Sequence, residues 1–300
     1  MTREAPVILL TGKNGQVGWE LQRALMGLGK VAAVDIAAMD LTDPDAIIKM
    51  LRQVKPDVVI NAAAYTAVDQ AEQDADRAMR INGLAPGILA EESKRLGAFL
   101  IHYSTDYVFD GAKRGAYDET DTPNPINVYG KTKLKGEQAV RSAGGDHLVL
   151  RTSWVYAGRG RNFLLTMLRL MREKEVLRVV DDQEGAPTWA RLIAETTVHL
   201  LGQSLTERKK GIFQSGLYHL TAAGSTSWCG FAEKIWEFVR KTMAEELQIQ
   251  KIEAVSTETY PTPAKRPMNS RLALEKLEQR YRLVMPAWDE ALALCMEDIR

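Results

Sequence analysis

The sequence predicts an α/β protein, in which a Rossmann-type, doubly wound parallel sheet is joined to a smaller, mixed α/β substrate-binding domain. Three observations predict this fold. Short apolar runs alternate with helix-like stretches, a glycine-rich turn links the first run to the first helix, and an aspartate ends the second run. Strands that alternate with helices in this way are typical of a parallel sheet with helices on both faces.

The predicted strands of the sheet are short apolar runs, as expected of strands that are buried on both faces. They are residues 7–10, 31–34, 58–61, 99–103, 148–151 and 217–220. The predicted helices are about 19–28, 44–53, 68–82, 85–96, a stretch that begins at Tyr129, and 188–201. The charged run at 207–210 is predicted to be a solvated loop.

A chain of 300 residues gives an expectation of about two domains. Residues 1–154 plus about 188–222 are assigned to the dinucleotide-binding Rossmann domain. Residues of about 155–187 plus 223–300 are assigned to the substrate domain. The helices and the strand expected there are residues 162–172, 179–183 and about 227–247.

The composition argues against several kinds of partner. The formal net charge is zero, which gives no electrostatic reason to expect nucleic acid or an anionic membrane surface. Cys229 and Cys295 have no C-x-x-C spacing and are too few for a disulfide framework or a structural zinc site. The apolar run before the first glycine is too short for a signal sequence or a membrane span. Together these features predict a soluble, cytoplasmic protein.

The first strand leads directly into a G-x-x-G-x-x-G turn that opens a helix. Such a turn presents backbone N–H groups and the positive end of the helix dipole to a pyrophosphate. An acid about twenty residues further on is positioned to meet the adenosine ribose hydroxyls. The cofactor-binding residues predicted here are Gly12, Asn14, Gly15, Gln16, Val17, Gly18, Asp35, Asp40 and Leu41.

Small residues follow the third predicted strand. At the carboxyl end of a parallel strand they let a cofactor lie against the backbone, which is where open α/β sheets bind ligands. The alternative is an alanine turn that is packed and binds nothing. The residues concerned are Ala62, Ala63, Ala64, Tyr65 and Thr66.

The choice between NADH and NADPH is left open by two neighbouring charges. Asp35 favours NAD, because a carboxylate repels the additional phosphate of NADP. Lys13, inside the glycine-rich turn, offsets part of this repulsion.

Tyr129 and Lys133 are four residues apart and therefore share one face of the predicted helix. An ammonium close to a phenol favours the phenolate and lowers the pKa of the phenol, so the pair can pass a proton to a developing alkoxide. The spacing also arises often by chance. Thr105 or Ser104, at the end of a neighbouring strand, would add a hydroxyl that donates to a substrate carbonyl.

Several blocks of sequence, taken together with the glycine turn and the Tyr129/Lys133 pair, resemble the extended short-chain dehydrogenases/reductases. Within that superfamily the chain is most similar to the dTDP-4-dehydrorhamnose reductase family. The blocks that carry the resemblance are residues 15–21, 61–69, 104–109, 127–130, 151–157, 185–188 and 260–264. They run from the first strand to the C-terminal region.

The resemblance implies reduction of the C4 keto group of dTDP-4-dehydro-6-deoxy-L-mannose to dTDP-L-rhamnose by NADH or NADPH. It implies that Tyr129 is the proton donor and that Tyr129 and Lys133 also bind the cofactor. Lys133 would hold the nicotinamide ribose and lower the pKa of Tyr129. Thr105 would orient the carbonyl. The substrate-binding residues implied are Thr105, Asp106, Tyr107 and Trp154.

One position departs from the family pattern. Some members form a dimer through a magnesium ion that is held by three acidic side chains. Glu20 and Asp298 match two of these, but Arg191 replaces the third, and a cation there opposes metal binding. We therefore expect no metal at this position, and either a monomer or a homodimer.

Two other functions are compatible with parts of the sequence. A related reductase or epimerase would act on another nucleotide sugar. A non-catalytic relative serves as the regulatory subunit of methionine adenosyltransferase and binds a nicotinamide cofactor. The intact Thr105, Tyr129 and Lys133 set argues against the second role.

Overall fold

In the computed structural model, which describes residues 5–242 and 244–299, six parallel strands form the main sheet. The strands of the described residues are β1 (Val7–Thr11), β2 (Lys30–Val34), β3 (Val58–Asn61), β4 (Phe99–Thr105), β5 (His147–Thr152), β6 (Val155–Tyr156), β7 (Val176–Val180), β8 (Glu184–Gly185), β9 (Thr188–Trp189), β10 (Gly216–His219), β11 (Thr226–Ser227) and β12 (Lys251–Val255).

Helices connect most of these strands. They are α1 (Gln16–Ala24), α2 (Pro44–Val54), α3 (Val68–Ala71), α4 (Ala75–Met79), α5 (Ala85–Leu96), α6 (Val128–Ala143), α7 (Phe163–Glu173), α8 (Ala190–Lys210), α9 (Trp228–Thr242), α10 (Glu275–Tyr281) and α11 (Trp288–Glu297). None of the helices in the described residues is long and apolar enough to cross a bilayer.

The strand order in the main sheet is β10-β5-β4-β3-β1-β2, and every pair is parallel. The predicted Rossmann-type, doubly wound sheet is therefore confirmed. The register places Thr105 beside Thr152 at the carboxyl ends of β4 and β5. It likewise places Thr11 beside Asn61 at the ends of β1 and β3. The carboxyl ends of four strands thus form one edge, above which the residues of the site lie.

Each face of the sheet is covered by its own layer of helices. Ile8 and Leu10 of β1 pack with the core on the side of α1 and α8, whereas Leu9 packs with the core on the side of α2 and α5. This alternation follows from the two-residue period of a strand. It explains why the strand sequences are mainly apolar, since both faces are buried.

The smaller part of the chain has a separate core. The parallel pair β7 and β12 packs with α7, α9 and α11, mainly through aliphatic and aromatic side chains. Among these, Leu164, Phe231, Ile235 and Leu292 are fully buried. The division of the chain at residues 154, 188 and 222 stays a prediction.

The single helix predicted at 68–82 is wrong. The segment forms α3 and α4, separated by a turn, and then a π-helical turn at Arg80–Leu84 that runs into α5. Asn82 explains the π-turn, because its side chain accepts from Tyr65 N at 2.9 Å and donates to Tyr65 O at 3.0 Å. A tertiary contact of this kind outweighs helical periodicity, and π-turns are frequent near functional sites.

Two further helix boundaries differ from prediction. The charged run at 207–210 is the last turn of α8 rather than a loop, and its basic residues suit the negative end of the helix dipole. Arg208 also donates to Asp146 and to Gly97 O, both at 2.8 Å. Helix α9 ends at Thr242 instead of near residue 247, and residue 243 lies outside the described residues.

The strand predicted at 179–183 lies earlier in the chain, as β7. Asp182 is instead engaged outside the sheet, where it accepts from Thr257 N at 2.9 Å and from Thr257 Oγ1 at 2.6 Å. Strand β12 and helices α10 and α11 had no counterpart in the sequence-based prediction.

Candidate active site

A cavity of about 730 Å³ lies at the carboxyl ends of β1, β3, β4 and β5. Most of the predicted site residues line it. They are Gly12, Asn14, Gly15, Gln16, Val17, Asp35, Asp40, Leu41, Ala62, Ala63, Ala64, Thr66, Thr105, Asp106, Tyr107, Tyr129, Lys133 and Trp154. The structure therefore brings the predicted cofactor, catalytic and substrate residues into one cleft.

Gly18 and Tyr65 are the two predicted residues that do not line the cavity. Gly18 packs against Gly12 O so closely that a Cβ has no room. Tyr65 has both its backbone N–H and its carbonyl bonded to Asn82. These two residues shape the loops that line the cavity.

The glycine-rich turn is built for close approach. Gly12 has φ of +72°, and a Cβ there would lie 2.8 Å from the backbone of Ala63. Gly15 N donates to Gly12 O at 2.9 Å, and Gly15 is the N-cap residue of α1. The turn and the alanine segment thus pack backbone to backbone. Because no large side chain lies between them, the N-terminus of α1 stays open to a pyrophosphate.

Asp35, at the end of β2, is held by two side chains of the glycine-rich turn. Asn14 Nδ2 donates to Asp35 Oδ2 at 2.8 Å, and Lys13 Nζ lies 3.5 Å from the same oxygen. Partial burial works to raise the pKa of Asp35, but Lys13 and Asn14 outweigh it and hold that pKa below its ordinary value. The carboxylate is therefore ionised and has a cation beside it.

Helix α6 places the candidate catalytic pair. Asn127 caps the helix by accepting from Gly130 N at 2.8 Å. Tyr129 lies in the first turn, and Lys133 follows one turn later on the same face. Gly130 allows the helix to approach Tyr107 O, where a Cβ would collide with the carbonyl. Lys133 Nζ donates to Tyr103 O at 2.6 Å.

Burial dominates the protonation of this pair. It raises the pKa of Tyr129 to about 12, although a hydrogen bond with Thr105 works in the opposite direction. It lowers the pKa of Lys133 to about 8, against the attraction of Glu137. The net shift of the Tyr129 pKa is upward, opposite to the predicted lowering, because desolvation of Tyr129 prevails. Tyr129 is thus protonated at neutral pH. The contribution of Lys133 to this pKa stays a prediction.

Thr105, Asp106 and Tyr107 gather around Tyr129. Thr105 Oγ1 donates to Asp106 Oδ1 at 2.9 Å and accepts from Tyr107 N at 3.1 Å. Burial raises the pKa of Asp106 to about 7, in spite of hydrogen bonds from Ser270 and Thr105. The Tyr107 ring meets the Tyr129 ring edge-on, with 5.9 Å between centroids. A protonated phenol and a neighbouring hydroxyl suit proton donation to a carbonyl oxygen.

Comparison with known proteins agrees with this geometry. The family model described as the RmlD substrate binding domain matches residues 6–300. The dTDP-4-dehydrorhamnose reductase of Burkholderia thailandensis is 51% identical over 295 residues, which cover 97% of this chain and 98% of that protein. This chain belongs to the dTDP-4-dehydrorhamnose reductase family.

Two further relatives support the assignment to the reductase family. The dTDP-4-dehydrorhamnose reductase of Escherichia coli K12 is 46% identical over 296 residues, which cover 97% of each chain. The crystal structure of dTDP-4-dehydrorhamnose reductase from Bacillus anthracis in complex with NADP has a TM-score of 0.89 at 35% identity. That likeness covers 98% of this chain and 99% of the other.

Reasoning from the sequence missed several lining residues of this reductase-family cleft. They are Val34, Ile36, Met39, Val68, Ile81, Gly160, Arg161 and Trp228. Ile36 directly follows Asp35, which was predicted to bind the cofactor, so its place in the sequence could have identified it as a lining residue. Trp228 is different, because it begins α9, far along the chain, and no spacing in the sequence links it to Trp154. The two indoles stack at 3.5 Å between centroids and 4° between planes.

The departure from the reductase-family pattern at Arg191 has a structural counterpart. Arg191 Nε lies 3.3 Å from Glu20 Oε2, and Arg191 Nη1 lies 2.8 Å from Asp298 Oδ2. The guanidinium thus bridges Glu20 and Asp298, the two acids that the resemblance aligned with a metal site. In the described part of the chain, no group of three or more His, Cys, Asp or Glu side chains has the arrangement to hold a metal ion. The expectation of no metal here stays a prediction.

Proposed function

We propose that this protein catalyses the NAD(P)H-dependent reduction of the C4 keto group of dTDP-4-dehydro-6-deoxy-L-mannose to give dTDP-L-rhamnose, the last step of dTDP-rhamnose biosynthesis. The observation that carries the proposal is that Tyr129, Thr105 and Lys133 line the same cavity as the glycine-rich turn. Family membership supplies the enzyme class and the reaction.

The residues present fit a nicotinamide dinucleotide. Gly12, Gly15 and Ala63 leave backbone room for a pyrophosphate at the N-terminus of α1. Asp35, ionised and fixed by Asn14, has the chemistry to accept from a ribose hydroxyl. When bound, the reduced nicotinamide supplies a hydride to the carbonyl carbon and leaves as the oxidised ring.

The side chains of the cavity supply the proton. Tyr129 OH gives its proton to the C4 oxygen as the hydride reaches C4, so that the ketone becomes a secondary alcohol. The raised pKa of Tyr129 keeps the phenol protonated until the oxygen gains charge. On substrate binding the Thr105 hydroxyl turns its one proton from Asp106 to the same carbonyl oxygen and orients it. The Lys133 ammonium stabilises the phenolate that remains. Proton donation of this type contributes about 10²–10⁴-fold.

The cofactor preference follows from the paired charges at the end of β2. Asp35 disfavours the additional phosphate of NADPH, but Lys13 lies 3.5 Å from its carboxylate and reduces that repulsion. We infer that the enzyme uses both NADH and NADPH.

We further propose that no magnesium ion bridges two copies of this chain through Glu20 and Asp298. Arg191 already forms ion pairs with both carboxylates, at distances of 3.3 and 2.8 Å, and its positive charge opposes binding of a cation between them. The enzyme is then a monomer or a homodimer without a metal bridge, in the cytoplasm where its nucleotide-sugar substrate is made. Stoichiometric magnesium in the purified protein, lost together with the dimer on chelation, would contradict this.

The decisive assay follows oxidation of NADH or NADPH after addition of enzymatically generated dTDP-4-dehydrorhamnose. Turnover with both cofactors and formation of dTDP-L-rhamnose are expected. Absence of turnover with either cofactor would overturn the function, and cofactor binding without turnover would favour a regulatory subunit. Turnover of a different nucleotide ketosugar in preference would favour a related reductase.

A further inference from the structure

Trp154 has an unusual backbone conformation. Its φ is +44°, a region that residues with large side chains rarely adopt. Among the described residues, the other non-glycine positions with positive φ are Lys55 and Arg282, and both are C-cap residues of helices, where this conformation is common. Trp154 lies instead between β5 and β6, at the edge of the cavity. Strain of this kind persists only where surrounding contacts hold it.

Two contacts hold the Trp154 indole. Trp228 stacks on it, with 3.5 Å between centroids and 4° between planes. Gly185 leaves space for its edge, since a Cβ at Gly185 would lie 2.5 Å from Trp154 Cε2. Both contacts come from the smaller part of the chain, whereas Trp154 directly follows β5 of the main sheet. The indole is therefore fixed by groups from across the cleft.

Trp228 is itself held in place. Its Nε1 donates to Gln183 Oε1 at 3.2 Å, and the Gln183 amide donates in turn to Thr257 Oγ1 at 2.9 Å. The Phe163 ring lies 4.7 Å from it on α7. Trp228 and Trp154 both line the cavity that contains Tyr129. The stack is thus a rigid apolar wall of the site.

We propose that Trp228 is a positioning residue for substrate binding, which sets the indole of Trp154 against the sugar ring of the substrate. A flat indole with a single N–H donor suits the C–H face and methyl group of a 6-deoxy sugar. The role rests on the proposed function, because it presupposes a nucleotide-sugar substrate. Trp228 acts through Trp154, and Gly185 serves the same end by leaving the indole room.

Three variants test this from two directions. Trp228→Leu removes the stacked ring, Trp228→Phe keeps an aromatic ring, and Gly185→Ala displaces Trp154 without touching Trp228. In the ketosugar assay we expect KM to rise about tenfold in Trp228→Leu and in Gly185→Ala, with kcat changed much less. Trp228→Phe should restore most of the affinity. Affinity for NADPH, measured by fluorescence, should stay as in the unsubstituted enzyme.

A second measurement reports the stack directly. Two stacked indoles whose transition moments are rotated relative to each other about the stacking axis give an exciton couplet in the circular dichroism spectrum. Where the unsubstituted enzyme shows this couplet, it should be lost in Trp228→Leu and weakened in Gly185→Ala. Trp236→Leu is the matched control, because it makes the same change two turns along α9, away from the cavity. It should keep both the couplet and the KM.

The outcomes separate the two proposals. An unsubstituted enzyme without ketosugar turnover would overturn the function. An active enzyme in which the variants lose the couplet but keep the KM would overturn the positioning role alone. A rise in KM in the control equal to that in Trp228→Leu would assign the effect to general loosening of α9 and would also overturn the role.

Discussion

At the scale of single residues, desolvation sets the protonation of the site. It raises the pKa of Tyr129 to about 12, lowers that of Lys133 to about 8 and raises that of Asp106 to about 7. The phenol therefore keeps its proton at neutral pH, and the lysine keeps its charge below about pH 8. An acid that stays protonated at neutral pH suits reduction of a ketone, in which a proton must be delivered.

Substitution of Tyr129 by Phe removes this proton and leaves the ring packing in place. We expect kcat to fall by about 10²–10⁴-fold. NADPH binding should change little, because the cofactor turn is untouched. Stopped-flow fluorescence and the ketosugar assay measure the two effects separately. Undiminished kcat in the Phe variant would exclude Tyr129 as the proton donor.

Asp106 gives a prediction about stability and pH. Its pKa in the folded protein is about 7, above the ordinary value of 3.8, so the folded state binds a proton that the unfolded state releases between these values. Stability should therefore fall as pH rises from about 4 to 7. Asp106→Asn has no such titration. Its free energy of unfolding, relative to that of the unsubstituted protein, should therefore rise across that range by at most about 4 kcal/mol.

Urea denaturation at pH 5 and pH 8 measures this difference. Asp76→Asn, at an exposed position on α4, is the matched control, since it changes no buried carboxyl group. A constant difference between Asp106→Asn and the unsubstituted protein at both pH values would refute the assigned protonation.

The residues of the site could be predicted from sequence where neighbours in the chain are also neighbours in space. Gly12 and Gly15 lie in one turn, and Tyr129 and Lys133 lie on one helix face, so spacing was enough. The pKa of Tyr129 could not be predicted, because desolvation depends on everything packed around it. Trp228 was missed for the related reason that its stacking partner belongs to another part of the chain.

At the scale of elements, the contact between α3 and the proline-rich segment of residues 261–267 brings distant parts of the chain together at the site. Arg266 Nη2 lies 2.7 Å from Asp69 Oδ2, and Arg266 Nη1 donates to Asp69 Oδ1 at 3.1 Å. Ala264 N also donates to Asp69 Oδ1. The bidentate geometry fixes the segment beside Tyr107, which packs on Tyr129.

Asp69→Asn tests this contact. The Arg266 hydrogen bond chiefly holds the pKa of Asp69 below its ordinary value, so the ion pair stabilises the protein above the unfolded pKa and is lost as pH falls through the folded one. Because the Asp69 side chain is 42% exposed, screening limits the expected loss to about 1 kcal/mol at pH 7. Urea denaturation should show this loss at pH 7 and a smaller one at acidic pH. An equal loss of stability at both pH values would contradict a stabilising ion pair between Asp69 and Arg266.

The elements themselves were predictable to different degrees. The strands of the main sheet were predictable because burial on both faces favours runs of apolar residues, as at 58–60 in β3 and 99–101 in β4. The break at 68–84 was not, because the π-turn depends on the bonds between Asn82 and Tyr65. Strand β12 was not predictable either, because among the described residues it pairs with β7, which is distant in sequence.

At the scale of the whole molecule, Arg191 joins three parts of the chain. It lies in the first turn of α8 and pairs with Glu20 of α1 and with Asp298, just beyond α11. Glu20 is 8% exposed, and Arg191 places a cation beside its carboxylate. One guanidinium thus ties the cofactor helix to the C-terminal helix.

Arg191→Ala should lower the free energy of unfolding by about 1–2 kcal/mol, because Glu20 is left buried without its cation. The loss should shrink in high salt, which screens the exposed Asp298 pair. Thermal or urea unfolding at two salt concentrations measures both effects. Arg169→Ala is the control, because its pair with Glu173 is exposed on both sides. An equal loss in the two variants would contradict the special role of Arg191.

The position of β10 at the edge of the main sheet bears on how the protein is made. This strand pairs with β5, yet it comes from residues 216–219, long after β5 has been synthesised. At typical rates of translation the ribosome needs on the order of ten seconds to add the intervening segment. During that interval the outer edge of β5 has no strand beside it and can pair with another nascent chain. A pause in translation between β5 and β10 should therefore increase aggregation of this protein more than a pause of equal length placed after β10.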